Sequence, residues 1–174
     1  MNVSTHDYIK ELSRLKPGDL GLLRTHAGQG LDESVEGFDL FAGIWWPLRQ
    51  KSAGAPQREV AWLIAKLYAA VPLKHVDSEA SHLARQLARC APAAYENEGK
   101  PRLAFIRRFD RILRTPLRQL EPELCWALNQ LRERGFKLDW VHLTDTLSHW
   151  ERQTTRYYWA TDFTSILTGE HHAD

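Results

Sequence analysis

No compact metal-binding or catalytic spacing occurs in this chain of 174 residues. Cys-x-x-Cys, Cys-x-x-His and His-Glu-x-x-His are all missing, which excludes a locally built zinc finger or zincin-type site. So are the GxxxxGK[ST], GxSxG and GxGxxG motifs, and Gly28-Gln29-Gly30 is too short to serve as a phosphate loop. Cysteine is scarce: Cys90 and Cys125, each among helix-forming residues, read as two buried free thiols in a reducing compartment. Ten glycines and eight prolines are too few for a fibrous or linker-dominated chain. Apolar runs such as Ala69-Ala70-Val71-Pro72-Leu73 stop far short of the ~20 residues a membrane span needs. The first seven residues have neither the basic start nor the apolar stretch of a signal peptide. A soluble cytoplasmic protein is expected, with no membrane contact.

Histidine adds little chemistry. His142 and His149 flank Asp145, while Asp77 and Glu79 lie between His75 and His82. Neither pair supplies four ligands, or a nucleophile with its base and orienting group. Both are expected to be exposed or satisfied structural histidines, with His171-His172 at a frayed terminus. The sequence predicts no catalytic residue, no metal and no cofactor.

What the chain does have is core-forming material: 43% hydrophobic residues and seven tryptophans. Their spacing is helical almost throughout. A first helix spans about 4–15, ended by Lys16-Pro17-Gly18, and a second about 19–25, with Asp19 as N-cap. Phe38, Leu40, Phe41, Ile44, Trp45 and Trp46 form an apolar block that Pro47 ends or kinks, followed by a loop over 49–56. An amphipathic helix follows over 57–70, then helices over 78–90 and 102–114. Thr115-Pro116 reads as the N-cap and first residue of a short helical piece. Gly135 stops a helix over 122–134, and Asp139 caps a long last helix reaching the Phe163 region. No stretch alternates at period two, so no strand is expected. The fold class is all-α: a two-lobed helical bundle of about eight or nine helices, with lobes 1–95 and 96–174 meeting in the 91–101 segment.

The net charge of +1 hides a lopsided distribution. Residues 1–40 hold four basic side chains against seven acidic ones; residues 100–118 hold seven basic ones against Asp110 alone. On a helix at 100° per residue, Arg111 falls about 40° and Arg114 about 20° from Arg107. Phe105, Ile106, Phe109, Ile112 and Leu113 fall on the opposite side, with Leu103 the exception. One face should therefore pack while the other carries a row of guanidiniums. Arginine, always charged and able to fork onto two phosphate oxygens, is the side chain that phosphate recognition favours. A solvated face, or pairing with the acidic N-terminal region, is the structural alternative.

The last helix offers a second patch. Trp140, Leu143, Leu147, Trp150 and Tyr157 recur at helical steps and should be core, with His142, His149, Arg152 and Arg156 along another face. Tyr157-Tyr158-Trp159 cannot all point inward; the alternatives are a wedge between lobes and a platform on which a base stacks.

The stretch Gly99-Lys100-Pro101-Arg102-Leu103-Ala104-Phe105-Ile106-Arg107-Arg108-Phe109-Asp110-Arg111-Ile112-Leu113-Arg114 resembles the arginine-rich central helix of the CasB family, the small subunit of the type I-E CRISPR surveillance complex, Cascade. Leu138-Asp139-Trp140 with Leu143, Leu147 and Trp150 is similar to that family's C-terminal helix. Leu22-Leu23-Arg24 with Phe38 and Phe41 is similar to its N-terminal lobe. The resemblance implies a non-catalytic, two-lobed helical subunit, present in two head-to-tail copies beside the backbone subunit that holds the guide RNA. Its partners would be guide RNA and both strands of the target DNA, the Cascade backbone and large subunits, and a second copy of itself. By position, Arg24, Arg107, Arg111, Arg114 and Arg152 match basic positions of the family pattern, and Arg49, Lys51 and Arg58 its basic loop and helix start. Arg108 and Arg156, on the same helices, complete the candidate nucleic-acid-binding set. The segment 117–123 is longer than the family pattern, and Glu151 interrupts the last basic turn. The rival expectation is a helical adaptor that docks by charge complementarity without nucleic acid.

Overall fold

The structure is a computed structural model that describes residues 3–33 and 35–169; the His171-His172 pair lies outside the described residues. Among these there are nine α-helices: α1 (Val3–Ser13), α2 (Pro17–Thr25), α3 (Val35–Lys51), α4 (Arg58–Ala70), α5 (Leu83–Cys90), α6 (Lys100–Arg114), α7 (Glu121–Glu133), α8 (Trp140–Leu147) and α9 (Gln153–Thr168). Short 3-10 turns join several of them, and no strand is present among the described residues apart from one isolated parallel bridge, His75 with Leu138. The chain is all-α, as its periodicity predicts.

Two compact units form, each with its own core. The first holds the residues up to Leu73 together with Trp140–Ser148; the second holds Lys74–Asp139 and the residues from His149. This division differs from the 1–95 and 96–174 lobes read from the 91–101 segment. Two physical causes account for it. α5 packs against α7 and α9, and α8 packs against α1 and α4, so sequence neighbours part company.

In the first unit α4 is the central rod. Its sequence suggests one apolar face, yet Val60, Ala61, Trp62, Leu63, Ile64, Ala65, Leu67 and even Lys66 are buried, because α2, α3 and α8 all pack on it. Lys66 is tolerated there because Nζ donates to the Gln29 carbonyl at 2.8 Å and lies 5.4 Å from the Trp62 ring centre. Tyr8 donates its hydroxyl to the Ala61 carbonyl, and Thr5 donates to Asp145 at 2.7 Å, tying α1 to α4 and α8. Trp140 Nε1 donates to the Leu73 carbonyl at 2.8 Å. Gly37 is the close-approach point of α3: a Cβ there would fall 2.8 Å from the His26 ring.

In the second unit Phe109 of α6 stacks on Phe163 of α9 at 3.8 Å, Phe105 meets Trp126 of α7, and Trp150 meets Trp159 edge-on. Arg85 of α5 bridges Asp162 at 3.0 Å and Glu79 at 2.5 Å. Gly135, at φ +68°, ends α7 and lets its N–H and that of Phe136 return to the last carbonyls of the helix.

Five boundaries differ from the sequence reading. The helix expected over 78–90 is a 3-10 turn at Glu79–Ser81 and then α5, with extended backbone at His82 between them. Asp19 is not an N-cap: α2 begins at Pro17, and the Asp19 carboxylate accepts the Lys16 N–H at 3.3 Å from the first turn. Pro47 does not end α3, which runs on to Lys51, so Arg49 and Lys51 are helical rather than in a loop. Thr115 closes α6 instead of opening a helix, its hydroxyl donating back to the Arg111 carbonyl at 2.7 Å. The long last helix is two helices, α8 and α9, separated at 148–152.

Candidate nucleic-acid interface

α6 starts after Gly99, whose φ of +73° makes the turn, and places Pro101 in its first turn, where a missing N–H costs nothing. Phe105, Phe109 and Ile112 are buried, and Arg107, Arg111 and Arg114 are exposed on the other side, as the wheel requires. Leu103 is exposed as well. The guanidinium row therefore exists.

It is not free of counter-charge. Arg114 Nε lies 2.9 Å from Asp110, one helical turn away. Glu123 of α7, a residue the sequence reading did not place here, stands 3.3 Å from Arg108 Nε and 3.6 Å from Arg111 Nη1. The exposed Arg114–Asp110 pair contributes roughly 0.2–1 kcal/mol, while Glu123, with only 13% of its side chain in solvent, is less screened from its arginines. Arg111 and Arg114 side chains keep 68% and 79% of their surface in solvent, so both remain able to exchange carboxylate for phosphate. Arg107 has no carboxylate partner among the described residues.

Arg108 is a different case. Its guanidinium lies 4.5 Å from the Trp126 ring centre as well as beside Glu123, so it clamps α6 to α7. Arg102 is also structural, donating to the Pro92 and Leu167 carbonyls at 3.0 Å each. The seven bases counted along 100–118 are thus not equivalent.

The start of α9 lies against the C-terminal end of this row. Trp150 Nε1 donates to the Thr115 carbonyl at 2.9 Å, and Glu151 accepts the Leu117 N–H at 3.0 Å. Arg152 is exposed there, as is Arg118 of the 117–119 turn. Arg156 is held by the Trp150 carbonyl at 3.0 Å, by Glu151 at 2.8 Å and by the Trp150 ring. Glu151 therefore organises the patch instead of merely interrupting it. Next along α9, Trp159 is buried, whereas Tyr157 and Tyr158 are exposed and meet edge-on at 6.0 Å. Tyr157 is thus not core.

The remaining candidates belong to the first unit. Arg49 Nη1 donates to the Ala53 and Ala55 carbonyls at 2.8 and 2.9 Å, Lys51 ends α3, and Arg58 opens α4 with Nη1 3.7 Å from Asp32. These three flank one turn. Arg24, exposed near the end of α2, donates to the Leu20 carbonyl at 3.2 Å. His142 belongs to α8 of this unit and His149 to the second unit, so the shared face expected for His142, His149, Arg152 and Arg156 does not form as one helical row.

Among the described residues no three His, Cys, Asp or Glu side chains gather where a metal could sit. Burial pushes the Cys90 thiol up to about 11, which makes it a poor nucleophile, while Cys125 is only half-buried. His82 lies 4.0 Å from Asp139, and burial outweighs that carboxylate to hold its imidazole below the ordinary value. No helix of the described residues is long and apolar enough to cross a membrane.

Comparison with known proteins bears on this geometry. The sequence model of the family described as CRISPR-associated protein Cse2 matches residues 19–163. The crystal structure of CasB from M. ruber superposes with a TM-score of 0.72 at 18% identity, covering 96% of each chain. That of CasB from Thermobifida fusca gives 0.68 at 17% identity, covering 93% of this chain and 96% of the other. Among curated protein sequences none matches the chain.

Proposed function

We propose that this chain, which belongs to the Cse2 family of CRISPR-associated proteins and is thereby a subunit of the type I-E Cascade complex, holds nucleic-acid backbone without reading sequence and performs no catalysis. The observation that carries the reading is the exposed row Arg107, Arg111 and Arg114 on a helix whose opposite face is packed. Arg118 and Arg152 extend it at one end. Exchanging a DNA duplex for an RNA–DNA heteroduplex is close to energetically balanced, so a few backbone contacts tip the exchange. Base pairing to the guide supplies specificity, and phosphate contacts supply position. Exposed Tyr157 and Tyr158 suit stacking with unpaired bases in the displaced strand. Arg24, Arg49, Lys51 and Arg58 form the corresponding contacts of the first unit.

The test is a mobility-shift titration of the free protein at several salt concentrations. Replacing Arg107, Arg111 and Arg114 together by Ala is expected to weaken binding and to reduce the log–log salt slope by up to ~0.9 per lost contact on duplex DNA. Scrambling the DNA sequence is expected to change nothing. An unchanged slope removes the row from the interface. The rival adaptor draws support from the carboxylate partners of Arg111 and Arg114. It requires salt-sensitive protein association and no shift of labelled DNA.

A further inference from the structure

α3 buries one apolar strip and exposes a second beside it. Gly37 and Phe41 are buried and Ile44 half-buried on the inward side. On the outward side Val35 is 79%, Phe38 43% and Trp46 52% exposed, with Ala42 between them. At 100° per residue these four lie within a sector of about 80°, and they span about 16 Å of helix. A row of large apolar side chains this long is not a feature that water favours, and it marks an interaction surface. Nothing in the nucleic-acid reading uses it.

The charge around the row identifies the kind of occupant. At the Val35 end, Glu36 and Asp39 sit on the same helix, and Asp32, with Arg58 3.7 Å away, and Glu33 precede it, while Arg49 stands beyond Trp46 at the other end. A depression of about 280 Å³, lined by Leu31, Asp32, Glu33, Val35 and Phe38, opens at this end. Phosphate would be repelled at this depression, whereas an apolar side chain flanked by cations would fit both it and its acidic border. The basic row of a second copy is a poor match: it offers one exposed large apolar side chain, Leu103, against three on α3.

We propose that the outward face of α3 docks a polypeptide segment of a different Cascade subunit, one presenting apolar side chains flanked by Lys or Arg. The inference rests on the chain's being a subunit of that complex. Its geometry is that of helix-face recognition, in which residues at i, i+3, i+7 and i+11 act as anchors.

The experiment places a photo-reactive benzoylphenylalanine at Val35 or Trp46 and assembles the complete complex before irradiation. The expected product is a cross-link to a peptide of another subunit, with Lys or Arg beside its apolar residues, identified by mass spectrometry. Cross-links to nucleic acid or to a second copy, or none in an assembled complex, overturn the proposal. In parallel, Phe38→Glu with Trp46→Glu is expected to lower incorporation into the complex at least tenfold. The salt slope and melting temperature of the free chain should stay unchanged. Normal incorporation of this variant overturns the docking surface alone. Failure of the wild-type chain to enter the complex overturns the subunit reading and the docking surface with it.

Discussion

Glu123 shows how much a single side chain modifies a charge pattern. Its carboxyl group is mostly buried, yet it lies beside Arg108 and Arg111 and partly neutralises the row that phosphate would meet. Glu123→Gln is expected to tighten DNA binding at low salt, by of order 0.5–1 kcal/mol, since it removes the negative charge that Arg108 and Arg111 share. A titration at two ionic strengths checks this: the gain should shrink as salt screens the row. His82 gives a pH signature at the same scale. Burial depresses its folded-state pKa below the unfolded 6.5, with Asp139 and Asp162 opposing and Arg85 adding to the depression. The unfolded chain therefore binds more protons over that interval. Stability is full above about pH 6.5 and is lost as pH falls towards the folded value; His82→Asn is expected to flatten this part of a melting-temperature profile. None of these relations was legible in sequence. Glu123 lies nine residues beyond Arg114, and only the pairing of α7 with α6 brings it back.

The element most fully written in the sequence is α6. Its apolar and basic residues alternate with helical period, so the buried and exposed faces follow from the order of residues alone. Neighbouring substitutions on it should accordingly behave oppositely. Ile112→Ala, in the packed face, is expected to cost about 2–5 kcal/mol in denaturant unfolding, and Arg107→Ala less than about 0.5 kcal/mol. The separation of α8 from α9 was not legible, because no glycine or proline marks 148–152. It is made by tertiary contacts: Trp150 reaches the Thr115 carbonyl, while Thr155 and Arg156 take up the His149 and Trp150 carbonyls that a continuous helix would use itself. Pro47 misled in the reverse direction. The helix carries it, and Trp45 and Arg49 secure the following turn through the Pro56, Ala53 and Ala55 carbonyls.

For the molecule as a whole, near-neutral net charge and strong local asymmetry coexist. Acidic residues concentrate before residue 40, where the apolar face of α3 is also found, and the densest basic stretch is α6. A subunit that met only nucleic acid would have no need of the first; one that met only protein would gain little from exposed arginines at three- and four-residue steps. The acidic stretch with α3 and the basic α6 fall on opposite sides of the residue-95 boundary and in different units alike, so this asymmetry was visible in the sequence; what differs is the placing of α5 and α8. α8 leaves its sequence neighbours for the first unit, and α5 joins the second. The most direct measurement is R-loop opening by complete Cascade carrying Arg107→Ala, Arg111→Ala and Arg114→Ala, read as permanganate reactivity of displaced-strand thymines. The complex should assemble normally and open its target incompletely at low salt, with the deficit relative to wild type shrinking as salt rises. Full opening at every salt concentration, in a complex that contains the variant subunit, contradicts the account.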